Sequence, residues 1–211
     1  MSDPMHYPDS DTETELHRRI SSYHHQQLYP EITGDGVVED SGDAERLKEF
    51  LAVERRRVQR RAAAVPLDPE GFLSWFEGLR VNGPGQGDPL FLWLANTATL
   101  DQIKWFLGQE LAGEAGFDDL VALTQVKMPA GPKMEMARNL WDEFGRGNPL
   151  AVHGALLARV CEDLGLENGL VNVVWESLAL ANLMIGLATS RQYAYQSVGA
   201  LGVIEMTAPG R

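Results

Sequence analysis

Glu143 and His153 stand ten residues apart in the stretch EMARNLWDEFGRGNPLAVH, residues 135–153, and no histidine follows His153. Between them the chain carries signals for stopping one helix and starting another. Gly145 and Gly147 can take the positive φ of a helix C-terminus, Asn148 is a good N-cap, and Pro149 suits a first helical position. The spacing therefore predicts a carboxylate at the end of one helix and an imidazole in the second turn of the next. Helical bundles build metal sites by aiming Glu and His from different helices at a common interior. The pair has a plainer reading as well: a core histidine bonded to a carbonyl, and a rim glutamate paired with Arg138 or Arg146.

Glu110 is a third candidate. Leu100, Ile103, Leu107 and Leu111 form an apolar stripe at helical spacing, and Glu110 falls inside it, with Glu114 close by. A carboxylate facing a core is costly unless it is paired or bound to metal. Snorkelling to solvent at the helix end is the alternative. His153 shares a face with Leu150, Leu157, Val160 and Leu164, which predicts a core position. Glu143 lies on the flank of its helix, whereas Met134, Ala137, Trp141 and Phe144 read as the core face. Glu205 shares a face with Val198 and Leu201, and is open to either burial or exposure at a helix end.

Other chemistry-bearing residues read as structural. His24 and His25 diverge by about 100° on a helix and cannot share a face, which suggests a surface pair. The arginines at 55, 56, 57, 60 and 61 read as a solvated face balanced by Glu49 and Glu54. Met134, Met136 and the tryptophans read as core packing. Cys161 is the only cysteine, so neither an intrachain disulfide nor a cysteine-built zinc site can form. The chain has no Gly-rich phosphate loop, no G-x-S-x-G and no H-E-x-x-H.

These candidates need helices to position them, and the sequence reads as helix upon helix. Helices are expected at 44–64, from 68 to about 80, from 88, from the capping box of Thr99 and Gln102 to about 113, and at 117–127, 132–144, 149–164, 170–190 and 192–206. No strict two-residue alternation competes with them. The class is all-α, with one helical domain over 44–211. Residues 1–43 form an acidic, largely disordered segment with a short helix, its first 14 residues disordered and 31–43 a Gly/Asp-rich loop.

Composition narrows the function. A chain of 211 residues with 44% hydrophobic content can bury a real core. Its net charge of −12 argues against nucleic acid and anionic membranes as partners. The apolar run 170–188 is interrupted by Asn172, Glu176 and Asn182. A mid-span carboxylate costs about 3 kcal/mol on insertion, so a buried helix is expected rather than a membrane span. The N-terminus lacks a basic region followed by an apolar one, so no signal peptide is expected, and a cytoplasmic location is the default.

Several segments together resemble one family. They are FLGQE ending at Glu110, FDDLVALTQV from Phe117, MEMARNLWDEFGRG followed by AVH, and GALGVIEMTAPGR at the end. These are similar to the iron-containing redox enzymes, the heme-oxygenase-like diiron oxidases and oxygenases, over residues 90–211. The resemblance implies a seven-helix bundle that binds no heme and holds two non-heme irons through carboxylates and histidines. It also implies a dioxygen-using oxidoreductase acting on a small organic substrate. By motif, Glu110, Glu143 and His153 resemble three of the metal ligands. The family's later helix carrying H-x-x-x-D-x-x-H has no counterpart before Arg211, and Gly113 stands where some relatives have a histidine. The resemblance thus implies a C-terminally shortened or inactive form, with an apolar groove open to homodimerisation or other association. A non-catalytic helical protein that binds a partner is the alternative.

Overall fold

The computed structural model describes residues 10–30, 42–114, 116–166 and 173–207. Its helices are α1 (Ser10–Leu28), α2 (Asp43–Ala62), α3 (Pro69–Asn82), α4 (Pro89–Asn96), α5 (Leu100–Glu114), α6 (Phe117–Thr124), α7 (Ala130–Glu143), α8 (His153–Leu164), α9 (Trp175–Thr189) and α10 (Ala194–Thr207). No strand occurs among the described residues, so the all-α expectation holds.

Local chemistry sets the helix starts. Asp68 caps α3 by accepting from the backbone N–H of Gly71 at 2.7 Å, and Asp88 caps α4 by accepting from Leu90 at 2.8 Å; each is followed by proline. The Thr99–Gln102 capping box forms in both directions, with Gln102 Oε1 accepting from the Thr99 N–H at 2.9 Å and the Gln102 N–H reaching Thr99 Oγ1 at 3.4 Å.

α9 is the central element. It is apolar around most of its circumference, the pattern of a helix covered on several sides, and α1, α2, α5, α6 and α10 all pack on it. On one side Met184 and Ala188 meet Phe117, Leu120 and Val121 of α6 and Leu201 of α10. On the other, Ile20 of α1 packs with Leu47 and Leu51 of α2 and with Tyr193. Gly186 permits the close approach of α2, since a Cβ there would lie 2.9 Å from Leu47 Cδ1. Buried Thr124 and Ser197 share a 2.6 Å hydroxyl hydrogen bond between α6 and α10. Arg191 donates to the carbonyls of Leu123, Thr124 and Val126 and so closes the end of α6.

Three expectations change. Residues 10–14, expected to be disordered, open α1, a helix of 19 residues that is docked on α9 and α2. The expected disorder of residues 1–9 and the loop at 31–41 lie outside the described residues. His24, expected at the surface, is buried at 4% exposure, and so is its neighbour on the same face, His17, at 1%. His25 alone is exposed. Helical divergence separates the two neighbours as expected, but it puts one of them inside. The third change concerns the aromatic residues. Trp75, Trp93, Trp105 and Trp141 are all more than a third exposed, as are Met134 and Phe144. Their helices lack a covering neighbour on that side, so the apolar face of α7 is not core. No described helix is long and apolar enough to cross a membrane.

Candidate metal centre

Glu143 is the last residue of α7, and His153 is the first residue of α8. The chain between them does not restart one continuous helix at Pro149. Gly145–Gly147 and Pro149–Ala151 form two short 3-10 turns, Asn148 Oδ1 accepts from the Leu150 N–H at 3.1 Å, and α8 begins only after extended Val152. His153 therefore sits at a helix N-terminus rather than in a second turn.

This arrangement brings the pair together, with His153 Nδ1 2.7 Å from Glu143 Oε2. The Glu143 side chain is 15% exposed and that of His153 38%. α8 has no fully buried residue, and Leu150 and Val160 are exposed, so the core position expected for His153 is corrected to a half-buried one.

A third carboxylate meets them, and it belongs to Glu114 rather than Glu110. Glu114 Oε1 lies 3.7 Å from His153 Nε2. The Glu114 carboxylate also accepts from the backbone N–H of Phe117, the first residue of α6. Oε1 itself is buried with no hydrogen-bond partner among the described residues. Glu110, one turn earlier on the same side of α5, is exposed and forms no ion pair with His153 among the described residues. The leucine stripe misled because α5 packs on α9 through a different face. Gln109 is its buried residue and accepts from the Val174 N–H at 2.9 Å, while a Cβ on Gly113 would touch Leu180 of α9 at 3.5 Å. Leu100, by contrast, is 60% exposed. The signal that could have found Glu114 was its place at the last turn of α5, just before left-handed Gly116.

Glu205 is exposed and accepts from Asn139 Nδ2 at 3.1 Å, which ties α10 to α7. An open depression of about 550 Å³ on the outer side of α7 is lined by Met134, Ala137, Arg138, Trp141, Asp142 and Arg146. It contains neither Glu143 nor His153, so it lies apart from the carboxylate–imidazole cluster.

Electrostatics knit the cluster together. Burial pushes the Glu114 carboxyl above the ordinary glutamate value, opposed by His153 and the Phe117 amide and reinforced by Glu143 and Asp118. Burial alone lowers the His153 imidazole. The Glu143 hydrogen bond and the charges of Glu114, Glu143 and Asp118 together outweigh it and hold the ring above its usual value. With Nδ1–H donating to Glu143, the ring offers Nε2 as its lone pair, a common arrangement for a ligating histidine backed by a carboxylate. That lone pair then faces the unpartnered Glu114 oxygen. Two acceptors facing each other call for a cation between them, either a proton or a metal ion. Carboxylate and imidazole donors suit iron, and an orphaned buried oxygen is the observation that fits a bound ion. Among the described residues, no three or more His, Cys, Asp or Glu side chains converge closely enough to hold a metal ion as they stand, so Glu114 and His153 offer one donor each toward a shared ion.

The helical bundle thus brings two carboxylates and an imidazole together from three helices, α5, α7 and α8. The chain belongs to the iron-containing redox enzyme family, whose sequence profile matches residues 104–211, from within α5 to the end. No curated protein and no solved structure matches the chain.

Proposed function

We propose that this protein binds non-heme iron at Glu114 and His153, with Glu143 holding the imidazole from behind, and uses it, with dioxygen, to oxidise a small organic substrate. The unpartnered Glu114 oxygen facing His153 Nε2 carries this reading. Iron would supply dioxygen activation and electron transfer. The rest is the work of this chain's own side chains. Glu143 fixes the tautomer and tilt of His153 through Nδ1. Glu114 contributes negative charge from a partly desolvated position, where a carboxylate interacts more strongly with a cation than it does in water. Glu110, a turn back along α5, is a further carboxylate for a second ion in the diiron form of the reading. His153 is 38% exposed, so solvent and substrate reach the cluster from the α8 side.

Anaerobic loading with Fe(II), followed by desalting and metal analysis, tests the proposal. One or two irons per chain are expected, with an iron-dependent uptake of dioxygen in the presence of a reductant. Retention of no iron by the wild-type protein would overturn it. That outcome would favour the second reading, a non-catalytic helical protein that binds a partner. The exposed aromatic residues Phe72, Trp75, Trp93 and Trp105 on α3, α4 and α5 speak for that reading.

A further inference from the structure

Glu143 and His153 meet because the nine-residue connection between them, 144–152, folds back sharply. Three successive residues at its start, Gly145, Arg146 and Gly147, have φ of 58°, 55° and 87°. A run of left-handed residues is unusual, and a non-glycine residue within it more so. Arg146 is held there with φ 55° and ψ 36°, while its Nε donates to Asp142 Oδ1 at 2.7 Å. The run reverses the chain, so that the Gly147 N–H reaches the carbonyl of Phe144 and the Asn148 N–H that of Gly145. Ala151 then lies directly on Gly145. A Cβ at Gly145 would come within 2.6 Å of the backbone carbon of Ala151 and 2.7 Å of its carbonyl oxygen. Backbone contacts of that kind cannot yield by a side-chain rotation. Only Val152 separates Ala151 from His153, and extended Val152 leads straight into the first residue of α8.

We propose that the left-handed Gly145-Arg146-Gly147 turn is the positioning device of the metal centre, and that Gly145 sets the reach of His153 by letting Ala151 pack on bare backbone. A side chain at Gly145 pushes residues 149–152 outward and lifts the imidazole off Glu143. Arg146 contributes its backbone conformation rather than its charge, since its side chain is 76% exposed and an exposed ion pair adds little. Gly145 and Arg146 touch no ion and are positioning residues only. The inference rests on the metal reading above for its functional meaning, although the Glu143–His153 contact itself does not depend on metal.

The experiment uses the full chain with Co(II) as a spectroscopic probe, and three variants: Gly145→Ala, Arg146→Val and Arg146→Asn. Two quantities are read: the Co(II) affinity from its d–d absorption, and the tautomer of His153 from ring ¹⁵N shifts without added metal. The wild-type ring should show a protonated Nδ1. Gly145→Ala should weaken Co(II) binding at least tenfold and abolish the single-tautomer signature. Arg146→Val should do the same, because a β-branched residue is a poor occupant of the left-handed region. Arg146→Asn removes the charge but tolerates that region, and should match wild type in both readouts. Gly145→Ala or Arg146→Val with wild-type affinity and tautomer would overturn the proposal. Failure of Arg146→Asn alongside Arg146→Val would overturn it too, by showing that the side chain rather than the turn matters. If Gly145→Ala does not fold, the Arg146 pair decides. If wild type binds no Co(II), the metal reading fails, and the tautomer comparison still tests the turn.

Discussion

Glu110 and Glu114 are separated by one helical turn, and the structure distinguishes them by what each one meets. Glu114 has a buried oxygen facing an imidazole, whereas Glu110 is in water. Removing charge at Glu114 therefore takes a donor from the cluster, while the same change at Glu110 alters an exposed side chain. Glu114→Gln is expected to weaken Fe(II) binding by tenfold or more, with Glu110→Gln within threefold of wild type, as measured by competition with a chromophoric chelator. A larger loss at Glu110 would return the first-helix ligand to the position the sequence motif indicates. His153→Ala should remove binding altogether, since it leaves Glu114 without the imidazole nitrogen that faces it. Residue type and spacing singled out Glu143 and His153 as a pair, and the structure brings the two side chains together. The sequence did not single out Glu114 as the carboxylate that meets His153, because the choice between i and i+4 on one helix depends on which face its neighbours cover.

At the scale of elements, α1 is held by a buried polar contact as well as by apolar packing. Asn182 of α9 donates to the backbone carbonyl of His17 at 2.9 Å and accepts from Ser21 Oγ at 3.1 Å. The His17 ring lies edge-on to Phe50 of α2 and stacks with Trp175 of α9, and Glu13 approaches its Nε2 at 3.7 Å. His24 is buried beside Tyr23 and Asn182, with Asn182 the polar side chain nearest its ring. Burial holds both imidazoles down to about 4, in His24 against the opposing effect of Asn182. The sign follows directly. The unfolded rings, near 6.5, bind more protons than the folded ones at any pH between 6.5 and 4, so α1 docking weakens as pH falls through that window and is fully present above it. Each ring contributes up to about 3 kcal/mol at one pKa unit per 1.36 kcal/mol. Amide hydrogen exchange across α1 should accelerate between pH 6.5 and 4 before that of α6 or α10. His24→Leu should flatten the dependence, and an unchanged profile in that variant would discard this account.

For the whole molecule, the decisive feature is that much aromatic surface is not used by the core. Four of the five tryptophans are more than a third exposed, at 38–54%, and large exposed apolar patches promote association. Tryptophan emission of the dilute protein is therefore expected to be red-shifted and readily quenched by acrylamide. Quenching should fall as protein concentration rises if a second copy covers these faces. A blue-shifted, quencher-resistant signal at every dilution would contradict the exposed arrangement. Iron binding should act on the same molecule as a stabiliser, since a ligand that binds only the folded state at a hundred times its Kd adds about 2.7 kcal/mol. The thermal midpoint should rise on anaerobic Fe(II) loading, and Glu114→Gln should abolish the rise.

Sequence alone determined the class and most helix boundaries, because caps, prolines and helical periodicity act over a few residues. Asp68, Asp88, Thr99 and Asn148 cap where their chemistry predicts. It also determined that a glycine-rich break would separate a terminal carboxylate from an imidazole, and the family-specific ARNLWDEFGRG…VH block marked the chain as an iron-containing redox enzyme. Tertiary structure decided which faces are covered. Periodicity shows that a helix has an apolar side, but a neighbour must exist for that side to be buried. Trp141 and Leu100 had none, while His17, His24 and Gln109 did. The contact among Glu114, Glu143 and His153 depended on the same distinction, since it follows from the packing of α5 against α9 and from the turn that carries His153 back to Glu143.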